Sequence, residues 1–377
     1  MKRRYKLIIV LIISSLLTGC WDYKDINRRS ITLSVGVDKI DDEFQFSGEI
    51  AKLSPSGNEK MGGPKNKGVY SCTSTGRNFE EARKNYDIKL PLEDFSGAMR
   101  AVILGKDYAE SGIESYINRI NNLTELRKSL LIVVSRETPK ELFQRKIVND
   151  IAIGYAVEDT IRHLSENGKS IYKTAQEIQK DIQNKDIGYV IPYIGVENET
   201  IGFLGFVVMG NSEMIGIINK NECSGFLYLL LNKATDKRAI YNINNRGTTY
   251  SVATTLQRRK INTNYLDKKV NIDINLKLIL QLQYQYYTEL LNDSLINEIE
   301  SEVAKEIKKE VLYAINRSQK ELKVDLFEFA KYFKAQNPKT YKEINWREEY
   351  PDANINVNVE TKIKDINLIN PNNKKKY

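Results

Sequence analysis

The feature that most constrains the fold is a run of alternating apolar residues in the second half of the chain. From Val270 to Tyr286 every second residue is apolar or aromatic, and the residues between are polar apart from Ile279. A period of two predicts a β-strand with one buried face. This strand would exceed the usual length of roughly 3–10 residues, so we expect a bend or bulge within it.

A long amphipathic helix is predicted directly after this strand. Asn292, Asp293 or Ser294 can cap it, and the pattern continues to about Asn316. Its apolar residues recur at helical spacing, namely Ile296, Ile299, Val303, Ile307, Val311 and Ala314. Another alternating strand is predicted over 355–363. The second half is therefore predicted to be an antiparallel β-sheet packed against helices, in a multi-domain α+β protein.

The rest of the chain also alternates between strand and helix patterns. A β-hairpin is predicted from the alternating runs 31–37 and 44–50. Further strands are expected near 69–74, 101–104, 130–134, 201–209, 214–218 and 250–256. Helices are expected near 78–88, 113–120, 139–146, 151–166, 171–183, 222–231, 325–335 and 339–344. Residues 54–68 contain several glycines and prolines and are predicted to be a loop.

The segment 184–200 is predicted to be the domain boundary, because it combines glycine and proline with a cluster of acidic residues. This divides the chain into an N-terminal α+β region, 31–198, and a C-terminal α+β domain, 199–370. The pattern leaves open whether the first region contains two subdomains. A short basic tail, 371–377, follows.

The first 19 residues have the layout of a secretory signal. Four basic residues precede an apolar run over 7–13, which is about half the roughly 20 residues of a transmembrane helix. The sequence Leu17-Thr18-Gly19-Cys20 then resembles a bacterial lipobox at every position. In such lipoproteins the thiol receives a diacylglyceryl group and the chain is cut before the cysteine. We therefore predict lipidation of Cys20, with residues 20–30 as lipidated N-terminus and tether.

The alternative is an ordinary signal sequence followed by an incidental cysteine. Cysteine is rare in this chain, with three in 377 residues, and this one occupies the position that a lipobox requires. A single acyl chain holds a protein only marginally, whereas two hold it stably. The mature protein is thus expected outside the cytoplasm, attached to the membrane without spanning it. The two remaining cysteines, Cys72 and Cys223, are predicted to be free thiols.

Charge and composition argue against several function classes. The net charge of +8 includes four charges in the signal sequence and three in the tail, so the body is nearly neutral and nucleic-acid binding is not indicated. The single histidine, His163, excludes a two-histidine metal site. Asn167-Gly168-Lys169-Ser170 lacks the first glycine of a phosphate-binding loop. No catalytic, cofactor-binding or metal-binding residue is predicted.

The mature chain resembles the Ger(x)C family of spore germination lipoproteins, the C subunits of nutrient germinant receptors. The resemblance rests on three stretches in a matching order. They are Gly19-Cys20-Trp21-Asp22 with Asp25-Ile26-Asn27 and Val35-Gly36-Val37-Asp38; Ile191-Pro192 with the 202–218 hairpin and Leu229-Leu230-Leu231-Asn232-Lys233; and Asp325-Leu326-Phe327-Glu328-Phe329 with Pro338, Trp346 and Tyr350-Pro351-Asp352.

This resemblance implies a non-enzymatic lipoprotein on the outer face of the spore inner membrane. It also implies membrane-embedded receptor subunits as partners, and the only functional residue it assigns is the lipidated Cys20. Two alternatives stay open at the level of sequence. One is a solute-binding lipoprotein of a transporter, for which two lobes of parallel βαβ units are expected. The other is a cell-wall enzyme, for which a cleft with perturbed carboxylates is expected.

Overall fold

The computed structural model describes residues 25–52, 68–148, 150–241, 248–286 and 291–366. The predicted signal sequence, Cys20, the basic tail and all of the predicted 54–68 loop except Gly68 lie outside the described residues.

The described residues form thirteen strands and eleven α-helices. The strands are β1 (Arg29–Ile40), β2 (Glu43–Ala51), β3 (Val69–Gly76), β4 (Glu93–Phe95), β5 (Ala101–Leu104), β6 (Leu131–Ser135), β7 (Gly188–Glu197), β8 (Thr200–Gly210), β9 (Glu213–Asn219), β10 (Thr235–Tyr241), β11 (Thr249–Leu266), β12 (Lys269–Gln285) and β13 (Asn354–Ile366). The helices are α1 (Phe79–Asp87), α2 (Lys106–Ser111), α3 (Glu114–Asn122), α4 (Pro139–Gln144), α5 (Ile153–Glu166), α6 (Ala175–Gln183), α7 (Cys223–Leu230), α8 (Asp293–Asn316), α9 (Phe329–Gln336), α10 (Pro338–Glu343) and α11 (Trp346–Glu349).

The first nine strands form one mixed sheet. Its order is β3-β2-β1-β5-β6-β7-β8-β9, with the short β4 pairing beside the start of β1. The central strands β1, β5, β6 and β7 are parallel, and antiparallel hairpins extend the sheet on both sides. The predicted β1–β2 hairpin is confirmed, with Val37 opposite Phe46.

Helices cover both faces of this sheet, which explains why its central strands read as continuous apolar runs. On β5, Val102 and Leu104 contribute to a core that includes α1 and α3. The intervening Ala101 and Ile103 belong to a second core with α5 on the opposite face. The first region is therefore a three-layer arrangement, because successive strand residues point to opposite faces.

The second sheet has the order β10-β11-β12-β13, and α8 packs on one of its faces. Asn292 caps α8, since its side chain accepts a hydrogen bond from the Leu295 amide at 2.8 Å. The five residues Arg317–Glu321 continue α8 as a π-helical turn. All the predicted stripe residues of α8 are buried except Ile296, which packs partly buried against the same core. The α+β fold class with a long helix on the C-terminal sheet is confirmed.

Three details of the second half differ from the sequence expectation. The strand β13 pairs with β12 in parallel, because α8 to α11 lie between them and return the chain to the start of β12. Burial along β12 ends at Leu282, and Tyr284 is 54 % exposed, because the β11–β12 register shifts at that point. The helix predicted from Asp325 begins at Phe329, after Glu328 adopts a left-handed φ of 60°.

The predicted boundary segment 184–200 is itself part of the first sheet. It contains β7 and the turn at Asn198 and Glu199, both with positive φ, and β8 pairs antiparallel with β7. The first sheet therefore continues through β9 before the chain enters the second sheet. The division at residue 198 thus falls on a tight hairpin turn, and the domain limits 31–198 and 199–370 stay predictions.

Candidate functional site

A cavity of about 730 Å³ opens at the end of the first sheet where β1 begins. We call it the N-terminal cavity. Side chains from β1 and β2 contribute to its wall, and α1, α3 and the 92–99 segment complete it. The residues on which the following argument depends are Ile26, Arg29, Arg83, Leu92, Asp94 and Phe95. The cavity lies at this position because β4 pairs with residues 29–31 of β1. This pairing holds the 92–99 segment beside the start of β1.

Asp94 is the centre of the polar network in this cavity. Its side chain is 2 % exposed and forms an ion pair with Arg83 at 2.7 Å. It also accepts hydrogen bonds from the Thr32 hydroxyl and, at 2.6 Å, from the Ser96 hydroxyl. A buried carboxylate needs such partners, since burying an unpaired charge is costly. Asp94 therefore joins β1, α1 and the 92–99 segment through one side chain.

Arg83 is held between two carboxylates and two aromatic rings. It pairs with Asp87 at 2.8 Å as well as with Asp94. Burial lowers the pKa of Arg83, but the two carboxylates outweigh burial and hold the pKa above its ordinary value. The guanidinium also lies 5.9 Å from the centre of the Phe46 ring and 5.5 Å from that of Tyr86. These contacts hold the Arg83 side chain in place, so its charge serves to stabilise the fold.

The mouth of the cavity carries exposed apolar side chains beside the exposed Glu93 and Glu125. Four large side chains at the mouth are exposed by between 37 % and 52 %, namely Ile26, Leu92, Phe95 and Leu123. We call these four residues the apolar rim. The acidic Glu93 next to Leu92 forms an ion pair with Arg29 at 2.7 Å. The cavity thus combines exposed apolar side chains at its mouth with an interior of paired charges and buried apolar side chains, a combination that favours binding over proton transfer.

A second polar centre, Asp325, connects the two sheets. Its carboxylate accepts hydrogen bonds from the amides of Phe327, Phe329 and Ala330 and from the Trp346 indole, at 2.7–3.2 Å. Its backbone carbonyl accepts from the Gly188 amide at 2.9 Å, at the start of β7. Burial raises the pKa of Asp325 to about 6, although the four donors oppose this rise. Asp325 therefore holds the start of α9, Trp346 and the first sheet together.

Other side chains add to this junction. The Tyr341 hydroxyl donates to Asp186, and Arg347 donates to the Lys185 carbonyl and to Asn211. At the other side of β9, Arg317 pairs with Glu222 at 2.8 Å and donates to the Ile217 carbonyl at 2.7 Å. The contacts come from several elements of each sheet, so polar contacts join the two halves in addition to the apolar core that both share.

The structure locates the residues that the sequence singled out. Cys20 lies outside the described residues. Cys72 and Cys223 are free thiols, as predicted, and burial raises the pKa of Cys223 to about 12. His163 is exposed on α5. Within the described ranges, no group of three or more metal-ligating side chains occurs.

The segment that resembled part of a phosphate loop ends a helix. Asn167 is the C-cap of α5, and Gly168 has a φ of +67°. Phosphate sites use the opposite end, because helix N-termini present free amides and the positive end of the dipole. Sequence reasoning identified none of the cavity residues. The clustering of Leu92-Glu93-Asp94-Phe95 was the available signal, and it could not be interpreted without the partner strand.

No helix among the described residues combines the length and the hydropathy needed to cross a bilayer. This finding concerns residues from 25 onward and leaves the predicted signal segment aside.

Two family models match the chain in consecutive segments. The spore germination protein N-terminal domain matches residues 22–196, and the spore germination B3/GerAC-like C-terminal model matches residues 204–367. The short gap between them contains the β7–β8 turn. Together the two matches span well over half of the chain.

Relatives in Bacillus subtilis (strain 168) agree with these models. The chain is 20 % identical to spore germination protein B3 over 372 residues, covering 96 % of this chain and 98 % of the relative. It is 23 % identical to spore germination protein A3 over 279 residues, 72 % of each chain. A match of 27 % identity to the putative spore germination protein YfkR covers 44 % of this chain and only 42 % of that protein.

A solved structure shares the fold. The crystal structure of the GerBC protein superimposes with a TM-score of 0.58 at 16 % identity, covering 88 % of this chain and 96 % of the solved chain. From the two family matches and these relatives, the chain belongs to the GerAC-like family of spore germination proteins, the homologues of germinant receptor C subunits.

Proposed function

We propose that this protein is the lipid-anchored subunit of a spore nutrient germinant receptor. In this role it is attached through a diacylglyceryl group on Cys20 to the outer face of the spore inner membrane. It binds the membrane-embedded receptor subunits and helps to hold them together. The observation that carries the proposal is the family match over both halves of the chain, preceded by a lipobox that ends nine residues before β1.

The geometry of the body supports a binding role. The carboxylates Asp94 and Asp325 are buried and hydrogen-bonded, and both are used to join elements of the fold. Proteins of this family are not known as enzymes, and we propose that this chain has no catalytic activity of its own. The transporter alternative requires repeated parallel units in two lobes. The parallel strands β1, β5, β6 and β7 of the first sheet fit one such lobe. The described strands of the second sheet do not, since only β12 and β13 pair in parallel there.

The anchor is tested by substituting Cys20. The variant Cys20→Ala offers no thiolate for lipidation, so it should be lost from washed spore membranes, as retained precursor or as released protein. The matched control is Cys72→Ala, which removes a half-buried free thiol and should leave membrane attachment unchanged. Full membrane retention of Cys20→Ala after a high-salt wash would contradict the anchor.

The partners are tested by purification of a tagged chain from detergent-solubilised spore membranes. Membrane-embedded receptor subunits should co-purify with it. Recovery of the tagged protein without these subunits, under conditions that preserve the receptor, would contradict the scaffolding role.

A further inference from the structure

We propose that the apolar rim is a membrane-contact surface that rests against the lipids of the outer leaflet. The occupant of this surface is the bilayer itself, and the anchor and the rim together fix the orientation of the folded body. This inference rests on the proposed lipidation of Cys20. It adds a second, non-covalent membrane contact to a protein whose described helices include none that could span a bilayer.

The first argument is reach. Ile26, which belongs to the rim, lies six residues after Cys20. A fully extended chain spans at most about 3.3–3.6 Å per residue, so the Cα atom of Ile26 can be no further than about 22 Å from that of Cys20. The bound holds for every conformation of the intervening residues. The rim is therefore kept close to the membrane surface by covalent connectivity alone.

The second argument is the concentration of exposed apolar side chains at this end of the molecule. The four rim residues come from three separate segments and are grouped around one cavity. Ile88, just after α1 in the segment that leads to Leu92, is 76 % exposed. Groups of exposed apolar side chains on soluble proteins mark interaction sites, for membranes among other partners.

The third argument is charge. Three of the acidic side chains at the cavity are paired, Asp94 and Asp87 with Arg83 and Glu93 with Arg29, which reduces their repulsion from anionic lipid; Glu125, which also lines the cavity, is exposed. Exposed basic residues flank the rim in the same segments, namely Arg28, Lys89, Arg127 and Lys128. Basic residues next to an apolar surface are attracted to anionic headgroups within a Debye length.

The shape of the patch favours lipid over a protein partner. A protein interface concentrates its binding energy in a desolvated apolar centre. Here the four exposed side chains surround an open cavity, which is lined by the Asp94–Arg83 ion pair and by buried apolar side chains such as Met99, so no protruding apolar centre lies between them. Insertion into the boundary between headgroups and acyl chains requires apolar side chains at protruding positions and places no such demand on the centre.

The test places a fluorescent reporter in the rim of the lipidated full-length protein. The variant Phe95→Trp is made in a Trp21→Phe background, which leaves Trp346, 2 % exposed, as a constant internal signal. The protein is reconstituted in vesicles of phosphatidylglycerol and phosphatidylethanolamine with brominated acyl chains. The rim reporter should be blue-shifted and quenched by the brominated lipid. The control is Leu266→Trp, because Leu266 is an exposed leucine at the β11–β12 turn. The fluorescence of this tryptophan should be neither blue-shifted nor quenched.

A second rim reporter, Leu92→Trp, repeats the measurement so that a folding defect in Phe95→Trp alone cannot decide the result. A circular dichroism melt of each variant checks that it is folded. Vesicle-bound protein whose rim reporters are not quenched would overturn the inference while leaving the anchor intact. Equal quenching at positions 95 and 266 would overturn it as well, since orientation would be random. A response that appears only after membrane-embedded receptor subunits are added would assign the rim to a protein partner. Failure of the anchor is seen separately, as unchanged vesicle attachment of Cys20→Ala.

Discussion

Asp325 shows how much of this fold depends on a single side chain. Its Oδ1 accepts from the Phe327 and Phe329 amides, and its Oδ2 accepts from the Ala330 amide and the Trp346 indole. Asp325→Asn places an NH₂ group against two of these donors. The unfolding free energy should fall by about 1–3 kcal/mol, the cost of leaving buried donors without an acceptor. Denaturant unfolding of wild type and variant, followed by tryptophan fluorescence, measures this difference.

The same carboxylate predicts a pH dependence. Because burial raises the pKa of Asp325 in the folded protein to about 6 from its ordinary value of 3.8, the folded state binds this proton more tightly than the unfolded state does. The contribution of Asp325 to stability is therefore fully present at low pH and is lost as pH rises through about 6. The stability gap between wild type and Asp325→Asn should widen when pH is lowered from 7 to 4.5. A gap that narrows on acidification would show that the four donors outweigh burial.

Gly205 occupies a position where only glycine fits. Its φ is +133°, and a Cβ atom would lie 1.9 Å from the backbone oxygen of Ile218 on β9. Gly205→Ala should therefore destabilise the protein by about 2–4 kcal/mol, from backbone strain and overpacking together. The control is Gly68→Ala, where no atom lies within 4 Å of the added Cβ and the change should stay within about 0.5 kcal/mol. Thermal melting of the two variants side by side tests both values.

At the scale of elements, α8 organises the second half. Ile307 is fully buried between α8 and the second sheet, whereas Leu312, on the same helix, is 40 % exposed. Ile307→Ala should lower the unfolding free energy by about 2–5 kcal/mol through lost burial and a residual cavity. Leu312→Ala should cost about 1 kcal/mol, because only part of this side chain is removed from water by folding. Similar losses in both variants would mean that α8 does not pack through the predicted stripe.

The periodic elements were predictable from sequence because their burial is set by local spacing. The strand β12 and the helix α8 each have one buried face and follow their patterns closely. The alternation of β1 and β2 identified the hairpin as well, although both of its faces are buried. The prediction that the buried face of β12 continues beyond Leu282 was wrong. The register shift at that point depends on pairing with β11, and the pattern of a single strand contains no information on that pairing. The parallel pairing of β13 was missed for a similar reason, since direction depends on the path of the intervening helices.

The N-terminal cavity was not predictable at all. Its central ion pair joins Arg83 on α1 to Asp94, eleven residues later, across a loop and a strand with little periodicity. The strand β4 is only three residues long and pairs with the start of β1, more than 60 positions earlier. Sequence spacing says nothing about such contacts. The lipobox predicted at Cys20, in contrast, is a local sequence pattern and could be proposed without any structure.

At the scale of the whole molecule, the two sheets form one body with a nearly neutral charge. Strands β7 to β9 belong to the first sheet, and Phe206, Val208 and Ile218 on them also contribute to the core that α8 and the second sheet share. The periodic apolar faces of both halves are thus buried inside the protein. We therefore expect only a modest interface with partner subunits, and the proposed anchor would keep the protein close to them.

Tethering should matter because it raises local concentration. A weak contact with receptor subunits can be nearly saturated when both partners are confined to one membrane, where effective concentrations reach the order of millimolar for short linkers. We therefore expect the unlipidated body to bind the receptor subunits only weakly. A variant with residues 1–20 replaced by an unrelated transmembrane helix should restore germination, because proximity is restored and the body still supplies specificity. The measurement is nutrient-triggered germination of spores that express each form at wild-type level.

Wild-type germination with an exported but untethered body would show that proximity is dispensable. A re-anchored variant that is stable and membrane-bound yet inert would instead assign the lipid a specific role beyond attachment.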